Sequence, residues 1–563
     1  MRFEHSIAIS QSSDQLCQVP FANLRLRRLL FAVLAGVLLC TAGIRANAAG
    51  PKVTVALDKP VNVLTNTSIA LPAAMQDGDA FKPASAPYTR VAGATVLRFP
   101  GGHGLADLYH WSMNSLTKYR GFDQPWVPQE SNFGNLAKNL EKYGTALIVV
   151  NYGSRPDGSG GGDAGEAAAW VAYANGDPND ARPVPKDKDG DDWKTIGYWA
   201  SLRGQQPQAS DDGLNFLRIG HPKPLGITQW QIGDQVFNNG YYGPDHTGDP
   251  DLHGPAPAKA KDYAHLEKNP NLSPSFYGAR VAAYAAAMKA VDPSIRIGAA
   301  LATPDGHPSD NDWNKKLWIA DWNEKVLRAG CPSIDFVSIE FQPNSVMPPD
   351  WATLNEADLL ATTRNRIGEV MNPLIELDKR DCPAGHMPRI AFSSANLPSW
   401  EHMEHPVFPA LWVADTYAVL IEAGTESVAW SEMHGDSMFT PDGKRLGPAF
   451  IGLQMLHILA RNPGDVFVKA DSTSSTVAVH ATRRRDGVVG LMLINEDPRS
   501  EVTVTVQITG GSVGPKGRRI DYGLQQQKGG APVTQSEIIG LGPTFTVTVP
   551  AYTVTDILAP QGN

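Results

Sequence analysis

Pro224-Leu-Gly-Ile-Thr-Gln-Trp230-Gln-Ile-Gly-Asp234-Gln235-Val-Phe-Asn-Asn-Gly-Tyr-Tyr242-Gly243 is the stretch that decides the fold. An apolar run ends in polar residues and then in a loop of glycine and aromatic residues, the pattern of a buried strand delivering its tip to a site. In a (β/α)8 barrel the strand interiors fill the core, while the C-terminal strand ends and the loops after them form the functional face. Asp234 and Gln235 fall at such an end.

The pattern on either side alternates between strand and helix. Upstream, Ala94 to Gly102 reads as a strand closing in turn residues. Phe133, Leu136, Leu140 and Tyr143 recur at helical spacing until Gly144 stops them. Thr145 to Gly153 is a buried strand with a polar tip, and Glu166 to Asn175 a helix. Residues 177 to 222, rich in Pro, Asp, Lys and Gly, read as a long surface insertion that lies over the strand tips and shapes a cleft. Downstream, Ser273-Pro274 opens a helix with a cap and a first-turn residue. Strands at 295–301, 334–339, 390–392 and 427–430 then alternate with helices at 315–329, 359–377, 408–423 and 450–459. Strands near Leu71, Leu97, Val149, Trp230, Ile297, Val337, Ile390 and Val428 make eight. Such alternation predicts an α/β fold, a (β/α)8 TIM barrel over residues 60–460. From about Asp465 the pattern changes to short alternating strands without a convincing helix, which predicts a β-sandwich over 465–563.

A chain of 563 residues, 42% of them apolar, exceeds one hydrophobic core and can fill two. Arg25, Arg27 and Arg28 precede the apolar run Leu29 to Ile44, and Ala46-Asn47-Ala48 follows with small residues placed for signal peptidase. Residues 1–48 therefore read as a secretory signal, the run being short for a membrane span. The expected location is secreted or periplasmic, with no membrane association after cleavage. Losing that segment removes five arginines and two acidic residues, taking the net charge from −9 to −12, which disfavours nucleic acid as a partner. Cys331 and Cys382 remain, each just before one of two neighbouring strands, which favours a disulfide over two buried thiols. No phosphate loop, His-Glu-x-x-His pair or cysteine cluster is present, so no cofactor and no metal are expected. Oligomeric state is left open.

Several motifs resemble the alpha-L-arabinofuranosidase-like, clan-A retaining glycoside hydrolases. Trp230, Ile232 and Gly233 match the Trp-x-x-Gly-Asn-Glu that ends the fourth strand there. Leu97-Arg98-Phe-Pro-Gly-Gly102, with Tyr109-His-Trp111 after it, matches the second strand; Asn151-Tyr-Gly153 and Tyr173-Ala-Asn-Gly176 follow in the family's order; Val547 to Val554 resembles the closing strands of its sandwich. The resemblance implies that an N-terminal strand, Val53 to Leu57 within residues 50–59, joins that sandwich. It also places Arg98 beside the nucleophile, and implies a carbohydrate substrate or ligand bound in the barrel cleft.

The two carboxyl groups that retaining chemistry needs, about 5 to 5.5 Å apart, depart from the pattern. Gln235 stands at the acid/base place, and an amide cannot donate that proton. At the seventh strand the family's Thr-Glu-x-Asn meets Ser393-Ser394-Ala-Asn396, so Ser394 takes the nucleophile place with no base beside it in sequence. Gln235 and Ser394 are expected to face each other across the barrel mouth, with Arg98 near Ser394 and Glu340 as its anion. Asp234, Glu340 and Glu432, all at strand tips, form a candidate relocated acid set. Candidate sugar contacts near the tips are His103, Tyr109, Trp111, Asn151, Tyr152, Trp230, Tyr241, Tyr242, Asn396, Trp430 and His434; as a ring of tip residues the aromatics favour a cleft, while each taken alone reads as core packing, the favoured reading for Trp230 and Trp430. Two functions stay open: a hydrolase working through relocated acids, and a carbohydrate-binding pseudo-hydrolase.

Overall fold

The computed structural model describes residues 50–75, 77, 86–101, 105–117, 130–187, 190–238, 251–254, 270–304, 319–341, 355–396, 403–430, 438, 446–529 and 533–562. His103, Tyr241, Tyr242, Glu432 and His434 lie outside the described residues.

Eight parallel strands close into a barrel: Ile69–Pro72, Val96–Phe99, Thr145–Val150, Gln229–Ile232, Arg296–Ala300, Phe336–Phe341, Arg389–Ala395 and Val428–Ala429. Each strand pairs with its neighbours in chain order, and the eighth closes on the first through Val428 opposite Ile69. Their inward side chains combine apolar ones, among them Ala70, Val96, Leu147, Val149, Phe336, Ala391 and Ala429, with the buried polar Gln229, Gln231 and Ser338. Outward-facing residues such as Trp230 and Ile148 join the main core beneath the helices. Helix starts are set locally: Asn132, Asp163, Thr195, Ser273 and Asn355 each accept a backbone N–H of the following first turn.

Helix Ala164–Asn175 is buried from Ala164 to Ala174, far more than one apolar stripe provides. The insertion is the reason. It leaves the C-terminal end of this helix, on the face opposite the strand tips, and climbs its outer side until Trp193 Nε1 donates to Asp163 Oδ2 at 2.9 Å. Ile196 lies back against Gly176 at that C-terminal end, and Arg203 of helix Ile196–Gly204 donates to the carbonyls of Tyr173, Gly176, His221 and Pro222. Residues 177–222 thus clothe a helix instead of roofing the strand tips, which corrects the expected cleft-shaping role.

Nine further strands form one curled antiparallel-rich sheet that reproduces the expected sandwich, with its own apolar interior of Val53, Val55, Leu491, Val504, Val547 and Ile557 among others. The N-terminal strand runs Lys52–Val63, antiparallel to Val466–Ser472 and parallel to Val502–Thr509. It continues past residue 59 because register shifts at Pro60 absorb the proline, so Pro60 to Val63 belong to this sheet and not to the barrel. Strands Val466–Ser472, Lys516–Gly523 and Thr534–Ile539 and the short helix Leu524–Gly529 are additional to the sequence reading. Cys331 and Cys382 form a disulfide, Cα–Cα 5.4 Å, tying the segments that lead into strands six and seven.

Candidate functional site

The turn after the fourth strand builds the site. Gly233 has φ +66°, and a Cβ there would lie 2.5 Å from Val236 Cγ2. Gln235 has φ +29°, a left-handed conformation that any residue with a Cβ disfavours and that functional turns retain. The two reversals drop Asp234 into the barrel and turn Gln235 across its mouth.

Asp234 is buried, and its Oδ1 accepts Arg98 Nη2 at 2.5 Å and Gln231 Nε2 at 3.3 Å. Arg98 is therefore paired with Asp234 and not with Glu340, a correction whose cause is the Gly233 turn. Next to them lies Asp107, which the sequence leaves unassigned although it stands two residues before Tyr109. Its Oδ1 accepts Tyr152 N at 2.8 Å and Gly153 N at 3.1 Å, and its Oδ2 accepts Asp234 N at 2.9 Å. Burial pushes the Asp107 carboxyl up to about 8, and those N–H donors only partly offset it. Asp107 thus ties the tips of strands three and four together.

Gln235 Nε2 donates to Glu340 Oε1 at 2.5 Å. Glu340, half-buried at the end of strand six, is the register partner of Ser394 on strand seven, past a bulge between Phe392 and Ser394. Thr303 Oγ1 bonds both the carbonyl and the N–H of Glu340, at 2.5 and 3.2 Å, and so fixes its backbone. The structure therefore brings Gln235, Glu340 and Ser394 together, with Glu340 on the side of the mouth where the two expected catalytic places converge. Ser393 donates instead to Ile339 O at 3.2 Å, and Asn396 is buried beside them.

The aromatic candidates are placed otherwise. Tyr109, Trp111, Tyr152, Trp230 and Trp430 are each at most 1% exposed. Trp111 stacks on Trp170 at 5.6 Å and meets Trp199 at 5.0 Å, while Trp230 stands edge-on to Trp170 at 6.0 Å, outside the barrel wall. Tyr109 packs on Phe99, and Tyr152 lies under His253 and Tyr277. Asn151 bonds Tyr109 O and Ser154. These buried aromatic side chains belong to the core that carries the mouth. Large aromatic area seeks burial first, and period alone cannot separate an inward from an outward tip.

No protein-family model matches the chain. A curated relative, an exo-alpha-(1->6)-L-arabinofuranosidase from Bifidobacterium longum, is 24% identical over 340 residues, 59% of this chain and 50% of the relative. The chain thus spans about half the length of that relative. Among solved structures, a family 51 alpha-L-arabinofuranosidase from Bifidobacterium longum matches with a TM-score of 0.62 at 15% identity, covering 90% of this chain and 99% of that one. A bifunctional glucanase-xylanase from a metagenome library matches at 0.58 and 13%, covering 91% and 100%. The fold is that of the clan-A glycoside hydrolases, barrel plus sandwich. In sequence the chain is similar to the exo-alpha-(1->6)-L-arabinofuranosidase.

Proposed function

We propose that this chain is an exported, glycoside hydrolase-like protein that takes a polysaccharide or oligosaccharide at the barrel mouth, with Glu340 as the carboxylate that meets the sugar. The observation that carries this reading is the Gln235 to Glu340 hydrogen bond opposite Ser394. Of the three described carboxyl groups near the turn, Asp234 is committed to Arg98, and Asp107 accepts three backbone N–H groups while buried. Glu340 alone of these is partly open and faces the two places at which a retaining enzyme acts. The relatives named above are described as acting on arabinose-, glucan- or xylan-containing carbohydrate, which supports the substrate class without choosing within it.

In this reading Glu340 replaces the strand-seven nucleophile from the neighbouring strand, and Gln235 orients it. Gln235 and Glu340 are not a catalytic pair: they touch, whereas retaining carboxyls stand about 5 to 5.5 Å apart and inverting ones about 6.5 to 9.5 Å. A substrate with a good leaving group, which needs little protonation, is the one such a site turns over. The second reading, a binding protein without turnover, is favoured by the amide at Gln235, which cannot act as an acid.

Aryl glycosides, the α-L-arabinofuranoside first, separate the two. Wild-type turnover that Glu340→Gln lowers by about a hundredfold or more carries the first reading. Turnover absent from the wild type, yet present when Gln235→Glu and Ser394→Glu are added to Glu340→Gln, carries the second. The Glu340→Gln background is required because a carboxyl at 235 would otherwise press against Glu340 and perturb both titrations.

A further inference from the structure

The insertion carries a groove of its own. Helix Ile196–Gly204 and the segments on either side of it line an open groove of about 580 Å³ on the outer flank of the barrel, with Arg218, Tyr198, Asn179, Gln205 and Asp212 among its lining residues. Tyr198 is 41% exposed, although it belongs to a helix that otherwise buries its large apolar side chains. Its ring stands edge-on against Trp199 at 5.1 Å. Trp199 is itself fixed, donating Nε1 to Trp193 O at 2.7 Å and packing on Trp111 at 5.0 Å. An exposed ring on so rigid a base loses little freedom on binding.

The polar wall is equally fixed. Arg218, whose side chain is 4% exposed, holds Asp212 in a two-pronged ion pair, Nη1 to Oδ1 and Nη2 to Oδ2, both 2.6 Å. Its Nε donates to Gln205 Oε1 at 3.1 Å. The Asp212 side chain remains 46% exposed. One buried guanidinium therefore orients a carboxylate that accepts hydroxyl protons and an amide whose NH2 faces away from the arginine, beside an aromatic face. That combination, an apolar plate flanked by a planar acceptor and a planar donor, suits a ring that is apolar on its C–H face and carries adjacent hydroxyls on its edge.

We propose that this groove is a surface site for a segment of polysaccharide, separate from the barrel mouth. The ligand class rests on the carbohydrate reading above; the site itself rests on the groove. Residues 178–181 follow directly on helix Ala164–Asn175 at the end away from the strand tips, so groove and mouth can hold different stretches of one polymer, and the second contact becomes intramolecular.

The test is electrophoresis of the full chain through gels containing soluble arabinan, arabinoxylan or xyloglucan, with turnover of an aryl glycoside and the melting temperature measured in parallel. Retardation by at least one polymer is expected. Tyr198→Ala should weaken it by about tenfold, Tyr198→Phe should largely keep it, and neither should change aryl-glycoside turnover or melting. Retardation that Tyr198→Ala leaves intact overturns the site, as does absence of retardation in all three gels. If aryl glycosides are still turned over in either case, the reading of the mouth stands. Tyr198-dependent retardation without any turnover keeps the surface site and removes the catalytic role of Glu340.

Discussion

Asp234 and Glu340 sit at the ends of two strands, and the sequence offers Arg98 either of them as its anion. What decides is backbone dihedral: the positive φ of Gly233 turns Asp234 inward onto the guanidinium and leaves Glu340 to the Gln235 amide. An Asp→Asn change at 234 restores the residue that the resemblance implies, yet here it removes the ion-pair partner of a buried arginine whose Nε already lacks a hydrogen-bond partner among the described residues. Asp234→Asn is therefore expected to cost about 3 to 5 kcal/mol, read from urea unfolding; a loss under about 1 kcal/mol would mean that the guanidinium finds another anion. At this scale the sequence was legible in residue type and not in partner. A buried arginine at the second strand demands a carboxylate, but the choice depends on a turn whose geometry no periodicity encodes. Asp107 went unassigned for the same reason, since its partners are backbone N–H groups, which leave no mark in side-chain spacing.

Elements were far more legible, because barrel strands and their crossover helices are long enough for apolar period to dominate. All eight expected strand centres fall in the barrel or at its immediate edge, and Ser273-Pro274 and Gly144 bound their helices as capping chemistry requires. The insertion was misplaced because its composition signals only exposure. Its attachment depends on close approach: Gly134, in helix Phe133–Tyr143, lies so near Phe216 of the insertion that an added Cβ would fall 1.7 Å from the Phe216 carbonyl oxygen. That neighbour is backbone and cannot swing aside. Gly134→Ala gains helix propensity yet should destabilise by about 1 to 3 kcal/mol, and limited proteolysis should cut first within residues 205–216. An unchanged or raised melting temperature would show that the insertion yields there without cost.

Across the whole molecule, sandwich and barrel are joined by a buried charged network that neither half predicts alone. His480, on a sandwich strand, bonds Asp415 Oδ1 at 2.9 Å and Glu422 Oε1 at 3.0 Å, both on barrel helix Phe408–Glu422. Arg364 of helix Glu356–Asp381 pairs with Asp415 and, at 2.7 Å, with Glu496 at the end of the next sandwich strand. Burial acts to lower the His480 pKa, but the Glu422 and Asp415 carboxylates outweigh it and push it up to about 10. A histidine whose folded pKa exceeds its unfolded value, about 6.5, contributes stability that is complete below that value and is lost as pH rises through the folded one. Burial likewise pushes Glu496 up to about 7 and holds Asp556, whose two oxygens lack partners among the described residues, well above the ordinary carboxylate range. Both also favour the protonated folded state, so their contributions fall as pH rises from the carboxylate range toward neutrality. All three slopes share one sign. The urea midpoint should therefore decline from about pH 5 to pH 10 by an amount equivalent to a few kcal/mol. His480→Gln should lower the midpoint at pH 6 and flatten the portion above about pH 6.5, while the Glu496 and Asp556 carboxyls, which the imidazolium acts to lower, are pushed up further. A wild-type midpoint that holds steady from pH 7 to pH 9, or a His480→Gln curve parallel to it, would show that the imidazole is not charged in the folded interface.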